Sequence, residues 1–472
     1  PVASRRDQLQ SYQFLIHRVI SALVMRETDP AESPLRRGVG AVFAGVMIAV
    51  VIAAGFGVFG LLTKIGNSKW QFDGAVVVEK ESGQVYLYLD HTLHPMANYT
   101  SALLASGHTP PTTASVSRNS LLQVPRGSLL GIPNAPLALP DAGKVLEAAW
   151  SACSVPGSDT AATPLTSLLV SQAPTGAVRL TNDRALVVRL PNRQSYYLVY
   201  HGYKYVIHQP AVVLNSLYGA NPPMMTVSPA WLNTLITGQS IDSITVPDAG
   251  VASAATPNRA NGELLVAQLP TGPQYYLVFP DGFATITELQ KDIYVGQTGE
   301  QPKTIQVLEG RTATKSGRLR PTGGDAQPPG APPKLFQPAS SQDPVCTRTD
   351  DPQHNRPSVL VGGVLPATGT QTAQATAGGT LLANRIVVPA GRVAVIRVLA
   401  APTATTGAYN IVTDTGVRYP VVSEAALAML GYDATKALDV PAEFANLVPA
   451  GPTLDPATAL RPIDVTAAPN GP

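Results

Sequence analysis

The chain has 472 residues, a formal net charge of +2 and only 14% charged residues, which excludes a strongly basic nucleic-acid binder and a chain with a large acidic excess. Gly (40) and Pro (44) are abundant but short of the share that marks a disordered chain, so turn-rich β structure is expected, at a length that allows two or three domains. Two cysteines, Cys153 and Cys346, without a CxxC or Cys/His cluster, exclude a structural zinc site.

The first element in the chain is LQSYQFLIHRVISALVM (9–25). Leu9, Tyr12, Leu15, Ile16, Val19 and Leu23 recur at helical spacing, with Gln13, His17 and Arg18 on the other side. Such a helix either lies on the inner leaflet or docks a cytoplasmic partner. From Gly38 to Thr63 there follow 26 residues without a charge. A bilayer core needs about 20 apolar residues in a helix, whereas a buried core helix or a signal peptide has a shorter apolar run. The segment is therefore expected to be an anchor that is kept. Arg5, Arg6, Arg18, Arg26, Arg36 and Arg37 precede it and Lys64 and Lys69 follow, which places the N-terminus in the cytoplasm and the bulk of the chain outside. Ala41, Gly45, Ala49, Ala53 and Gly57 recur at every fourth position, the pattern that lets a second helix approach closely.

Beyond the anchor an internal repeat organises the chain. Four segments share an aromatic-rich strand, a polar turn and a second strand: QVYLYLDHTLHPMAN (84–98), SYYLVYHGYKYVIHQ (195–209), QYYLVFPDGFATIT (274–287) and AYNIVTDTGVRYPV (408–421). Three copies are followed by a helical or Leu-rich stretch and a Pro-Gly signal, at 120–133, 228–241 and 441–454. The expected unit is strand–turn–strand–helix, and one unit cannot bury its own apolar face, so copies pack together. The expected fold class is α+β: one transmembrane helix, then four degenerate repeats around a β-rich central domain. The boundaries read as a cytoplasmic segment 1–37, a span 38–63, repeat 1 at 64–140, a connection 141–180, repeat 2 at 181–245, repeat 3 at 246–310, a loop and central β domain 311–402, repeat 4 at 403–461 and a tail 462–472. Within the central region, 310–344 reads as a loop or mobile insertion, and 386–401 as buried β structure.

These features resemble the EccB family, core membrane components of the actinobacterial type VII (ESX) secretion system. The resemblance rests on QSYQFLIHRVISALVMRE (10–27), SPLRR (33–37), LHPMANYTSALLASG (93–107), VPRGSLLGIP (124–133) and the Trp150/Cys153 pair. QYYLVFPDG (274–282), DPVC (343–346), DTGVRYPV (414–421) and VPAGPTL (448–454) extend it over essentially the whole chain, while 311–400 follows the family loosely and 160–180 is shortened. The resemblance implies a periplasmic portion made of two pairs of repeats around a central domain. It also implies dimerisation and assembly with the motor ATPase EccC, with EccD and EccE, and with a mycosin protease.

Chemistry is sparse. A P-loop, GxxxxGK[ST], is missing from the sequence, and the nearest fragment, Thr314-Lys315-Ser316-Gly317, lacks the upstream glycine spacing. There is no GxSxG, and His91, His94, His108, His201 and His208 show no zinc-ligand spacing. Asp281 and Asp414 read as turn residues. Tyr196, Tyr197, Tyr275 and Tyr276 could stack on glycans or pack across strands, and packing is the expectation. Outside the membrane an isolated cysteine pair is expected to be oxidised, Cys153 to Cys346, with two buried free thiols as the alternative; Trp150 nearby suggests a packed site. No cofactor and no metal are expected. The leading reading is a scaffold subunit of a secretion complex; the alternatives are a peptidoglycan-binding module and a nucleotide hydrolase, the latter being a label the family sometimes carries.

Overall fold

A computed structural model of the protein describes residues 5–26, 35–64, 69–157, 163–191, 194–319, 323–324, 326–350, 356–401 and 403–463. The chain divides into two compact units, Pro1–Phe72 with Val116–Gln123, and Asp73–Ser115 with Val124–Pro472.

The first unit contains two long helices, Arg5–Met25 and Leu35–Lys64. The first starts four residues before the apolar periodicity does, with Asp7 in its opening turn, where a carboxylate meets the positive end of the helix dipole. In the second, Gly38–Val58 is apolar and long enough to cross a membrane.

The second unit is mixed α+β. Its repeats follow one plan with more strands than the sequence suggested. In repeat 1 an antiparallel meander Ala75–Glu79, Val85–Leu89 and Thr92–Pro95 leads into the helix Tyr99–Ala105, and Thr113–Val116 then adds to the free side of the first strand. Repeat 2 runs Arg184–Arg189, Tyr196–Tyr200, Tyr203–Ile207, helix Pro210–Tyr218 and strand Met224–Thr226. Repeat 3 runs Leu264–Leu269, Gly272–Phe279, Gly282–Ile286, helix Glu288–Thr298 and strand Lys303–Ile305. Repeat 4 runs Val393–Leu399, Ala408–Thr413, Arg418–Pro420, helix Glu424–Met429 and strand Leu438–Pro441. In repeats 2, 3 and 4 the last strand lies parallel to the first, as a strand returning through a helix must. The stretches at 228–241 and 441–454, expected to hold the helix of the unit, contain only the single turns Pro229–Leu232 and Ala442–Ala445. The principal helix comes earlier, directly after the third strand. Its start is fixed by a side-chain cap in repeats 1, 3 and 4: Asn98 accepts from the Ser101 N–H at 2.8 Å, Thr287 and Gln290 form a capping box, and Ser423 accepts from the Ala426 N–H.

The repeats pack in two pairs. Val76, Leu87 and Leu104 of repeat 1 share one apolar cluster with Val395, Ile411 and Leu427 of repeat 4. In the inner pair the helix of repeat 3 lays Leu289 and Ile293 against Val213 and Leu214 on the helix of repeat 2. Between the pairs lies a seven-stranded sheet in the order Thr370–Gln371, Arg385–Val387, Leu165–Leu169, Ser151–Val155, Val345–Arg348, Ser358–Val361, Val178–Arg179. The region 141–180, expected to be a connection, thus contributes three strands of this sheet. The expected buried β segment 386–401 is split: Arg385–Val387 joins the central sheet, while Val393–Leu399 is the first strand of repeat 4 and so lies before the expected start at 403. One face of the central sheet buries Trp150, Ala152 and Leu168 against Leu186 and Trp231 of repeat 2 and Ile396 and Phe444 of repeat 4.

The stretch 310–344, read as a loop or mobile insertion, is mostly loop along its described residues and is tied down there. The Phe283 N–H donates to Thr314 O at 2.8 Å, Gln239 N donates to Ala326 O at 2.8 Å, and Lys334–Leu335 adds a parallel strand beside Arg184–Ala185. Backbone pairing is joined by apolar contacts from Leu319, Leu335 and Phe336 in this Pro/Gly-rich stretch.

Candidate interaction surfaces and the buried cystine

On the N-terminal helix, Leu9, Tyr12, Leu15, Val19 and Leu23 are at least half exposed and Ile16 is 38% exposed. Sequence periodicity missed Phe14, which is equally exposed but sits off the stripe, with the Arg18 guanidinium 5.9 Å from its ring. The helix therefore offers an apolar face and, on the other side, a cation–aromatic pair.

The membrane-length helix exposes Val42, Phe43, Val46 and Phe56 together with Ala41, Gly45, Ala49, Ala53 and Gly57. Open space surrounds the positions a side chain would take at Gly45 and Gly57. A step of four residues advances about 400°, so the small-residue ridge winds about 40° per step around the helix. Only about three successive members, such as Gly45, Ala49 and Ala53, can face one partner helix.

Cys153 and Cys346 are direct cross-strand partners in the central sheet and form a disulfide. Both are completely buried, beneath Leu169, Leu360 and Val387. The site is packed, as the nearby Trp150 suggested, but Trp150 itself lies on the other face: three steps along a strand reverse the face, and its ring fills the cluster shared with repeats 2 and 4.

The Lys315 segment is structural in its contacts. The ammonium group bonds to the Gly310 carbonyl at the end of a short helix and lies 5.0 Å from the Tyr276 ring, and partial burial pushes its pKa down. Ser316 donates to Asp281 at 3.0 Å, and Arg318 approaches the same carboxylate at 3.5 Å. The turn acid noted in the sequence is thus the anchor for this return segment.

The histidines are scattered. His91 bonds Tyr88, His94 bonds Ser128 O, His108 bonds Asp73 O, and His208 pairs with Asp242. Among the described residues no group of three or more His, Cys, Asp and Glu side chains could hold a metal ion. The paired tyrosines also divide: Tyr196 packs within the inner repeat pair and Tyr197 against the central cluster, while Tyr275 and Tyr276 join two different clusters of repeat 3. Alternation along a strand sends neighbours to opposite faces, so these rings form no common stacking surface.

A family model described as type VII secretion system ESX-1, transport TM domain B, matches residues 2–468. The protein named ESX-3 secretion system ATPase EccB3 of Mycolicibacterium smegmatis is 27% identical over 480 residues, covering 96% of this chain and 90% of its own length. ESX-2 secretion system ATPase EccB2 of Mycobacterium tuberculosis is 29% identical over 303 residues, 61% of this chain and 58% of that one. Among solved structures, a chain of an intact ESX-5 inner membrane complex is 24% identical and shares the fold, with a TM-score of 0.63 over 100% of this chain and 98% of that chain. The EccB3 dimer from the ESX-3 core complex is 26% identical, with a TM-score of 0.61 over 82% of this chain and 100% of that chain.

Proposed function

This chain belongs to the EccB family of type VII secretion systems, and from that premise we propose that it is a structural subunit of an inner-membrane secretion complex. The helix Gly38–Val58 anchors it, the repeats form its scaffold, and it assembles with a second copy of itself and with subunits of the EccC, EccD and EccE types, with a mycosin protease as a further neighbour. The N-terminus lies in the cytoplasm and the repeats outside, as the arginine-rich side of the anchor favours. The observation that carries this reading is the uncovered apolar surface of two long helices, the one too short to fold alone and the other of membrane length.

Leu15 and Val19 are two of the apolar anchors of the first helix, and apolar anchors of this size contribute about 1–3 kcal/mol each when buried in a groove. Replacing both with Ser, with Gly45→Leu and Ala49→Leu in a second variant, is expected to strip partner subunits from the affinity-purified complex at normal expression levels. Full recovery of every partner with both variants would sink the docking role. In the same cells, a cysteine introduced at Gln10 should resist an impermeant thiol reagent and one at Asp248 should react; the reverse pattern would invert the topology.

The word ATPase in the relatives' names does not, in our reading, extend to this chain. Its one P-loop-like lysine is engaged with Gly310 and Tyr276. Purified protein should hydrolyse ATP no faster than its Lys315→Ala variant, and turnover lost in that variant alone would overturn the reading.

A further inference from the structure

The central sheet ends in a hairpin arm. Thr370–Gln371 is its last strand and pairs on one side only, with Arg385–Val387. The hairpin continues beyond the sheet: the Thr372 N–H donates to Asn384 O at 3.1 Å, the Leu382 N–H to Gln374 O at 2.7 Å and the Thr376 N–H to Thr380 O at 2.9 Å. The arm lies within the unbroken described stretch 356–401. Residues 367–371, 373, 374 and 376–381 are exposed, while Thr372 and Ala375 are half-buried. At the base of the arm a Cβ on Gly416, in the turn of repeat 4, would lie 3.2 Å from Thr370 Cβ and 3.5 Å from Ile386 Cβ. Thr370 and Ile386 are cross-strand partners, so this turn sits on a face of the hairpin and leaves its edge open.

Residues of an antiparallel strand turn their backbone groups alternately toward the partner strand and away from it. Thr372 and Gln374 bond to the returning strand, so Gln371 and Ala373 turn outward, and no described residue accepts from the N–H of either. An outward row of this kind is a template for another strand, and proteins guard such edges with charge, proline, a bulge or a covering segment. The molecule does so elsewhere. The third strand of every repeat is covered by a returning segment, at Leu93–Arg126, Tyr203–Ile236, Phe283–Lys315 and Arg418–Ala450, and the opposite end strand of the central sheet, Val178–Arg179, carries a guanidinium. The arm has no such guard: residues 362–384 include no Asp, Glu, Lys or Arg, and 367–384 include no Pro. The kink at Gln374, with φ +64°, comes after the open edge.

This edge is complementary to itself. A two-fold axis through Thr372 sets Gln371 opposite Ala373 of the partner subunit, and Ala373 opposite Gln371 of the partner subunit, so that both positions exchange N–H···O bonds. The two Thr372 residues then face each other as a non-hydrogen-bonded pair with Cα atoms about 4.5 Å apart. With no charge on either strand, nothing repels the second copy. We propose that the arm is a self-pairing surface, on which a second copy of this chain adds its own arm edge to edge and joins the two central sheets. This pairing rests on the self-association proposed above and names a surface for it.

The test uses the full chain in neutral detergent. The native cystine is buried, so Thr372→Cys carries a single free thiol. Oxidation with copper phenanthroline should join it to its own copy, because the facing Cα atoms lie within the range a disulfide bridges, while Asp248→Cys on repeat 3 should stay unjoined. Gln371→Lys with Ala373→Lys sets ammonium groups opposite each other and should raise the dimer dissociation constant, read by sedimentation, roughly two- to thirtyfold. Gln371→Lys with Ala373→Glu sets opposite charges across the axis at the same exposed positions and should restore wild-type association or better. Equal weakening by both double variants, no loss with the double Lys variant, or no disulfide at position 372 would overturn the arm pairing and leave self-association through another surface standing. A wild-type chain that stays monomeric would overturn both.

Discussion

Tyr432 is 3% exposed, and its hydroxyl donates to the Pro140 carbonyl at 2.6 Å, joining repeat 4 to the segment that leaves repeat 1. Burial, with Asp141 nearby, raises the pKa of this phenol. A raised folded-state value means stability that is whole below the unfolded tyrosine pKa of about 10 and falls away as pH climbs above it, because the unfolded chain ionises first. Tyr218 is shifted in the same direction by burial but finds no partner for its hydroxyl among the described residues. The two therefore separate hydrogen bonding from ionisation. Tyr432→Phe should cost about 1 kcal/mol near pH 7, and that deficit should shrink above pH 10. Tyr218→Phe should be neutral or stabilising at pH 7, since replacing an unpaired buried hydroxyl removes a desolvation penalty. Denaturant midpoints at the two pH values check both; a Tyr432→Phe deficit that grows with pH would refute the assignment.

Helix Glu288–Thr298 of repeat 3 crosses the helix of repeat 2 at Gly296, where a Cβ would lie 2.4 Å from Ser216 Cβ and 2.6 Å from Ser216 Cα. In an open helix, Gly to Ala gains about 1 kcal/mol. Here the contact is with backbone as well as side chain, so the sign should reverse, with a net loss of about 1–3 kcal/mol from overpacking. Chemical denaturation of Gly296→Ala checks it, and a gain in stability would show that the two helices can part at no cost. Neither this crossing nor the full repeat was legible in the sequence. The hairpins were, because aromatic alternation around Asp-Gly turns is a local signal, and Gly282 and Gly416 do adopt positive φ. The strand before each hairpin was not marked as part of the unit. AVVVE, RALVVR, LLVAQL and VAVIRVL are nearly continuous apolar runs, because each strand lies inside its sheet and is covered on both faces, which erases the period of two. The closing strands MMT and KTI have three residues each, too few for any periodicity.

At the scale of the whole molecule, the two members of the disulfide are 193 residues apart, and both inner repeats lie within the loop it closes. Chain entropy sets a ceiling of roughly 5 kcal/mol on its contribution for a loop of this length. Cys153→Ala with Cys346→Ala should therefore lower the unfolding midpoint of the scaffold substantially, and an unchanged midpoint would mean that the packed repeats already restrict the chain as tightly as the bond does. The same loop also determines how the subunit bears load. Once the apolar contact between repeats 1 and 4 has parted, tension between them travels along the chain to Cys153, crosses the sulfurs and leaves from Cys346, so the covalent path bypasses residues 154–345. Reduction would put that segment in series with the pull and release about 640–700 Å of extra contour. A subunit held in a membrane at one end and tugged at the other thus yields in its outer repeats, while the inner pair keeps its shape behind a two-atom mechanical shunt.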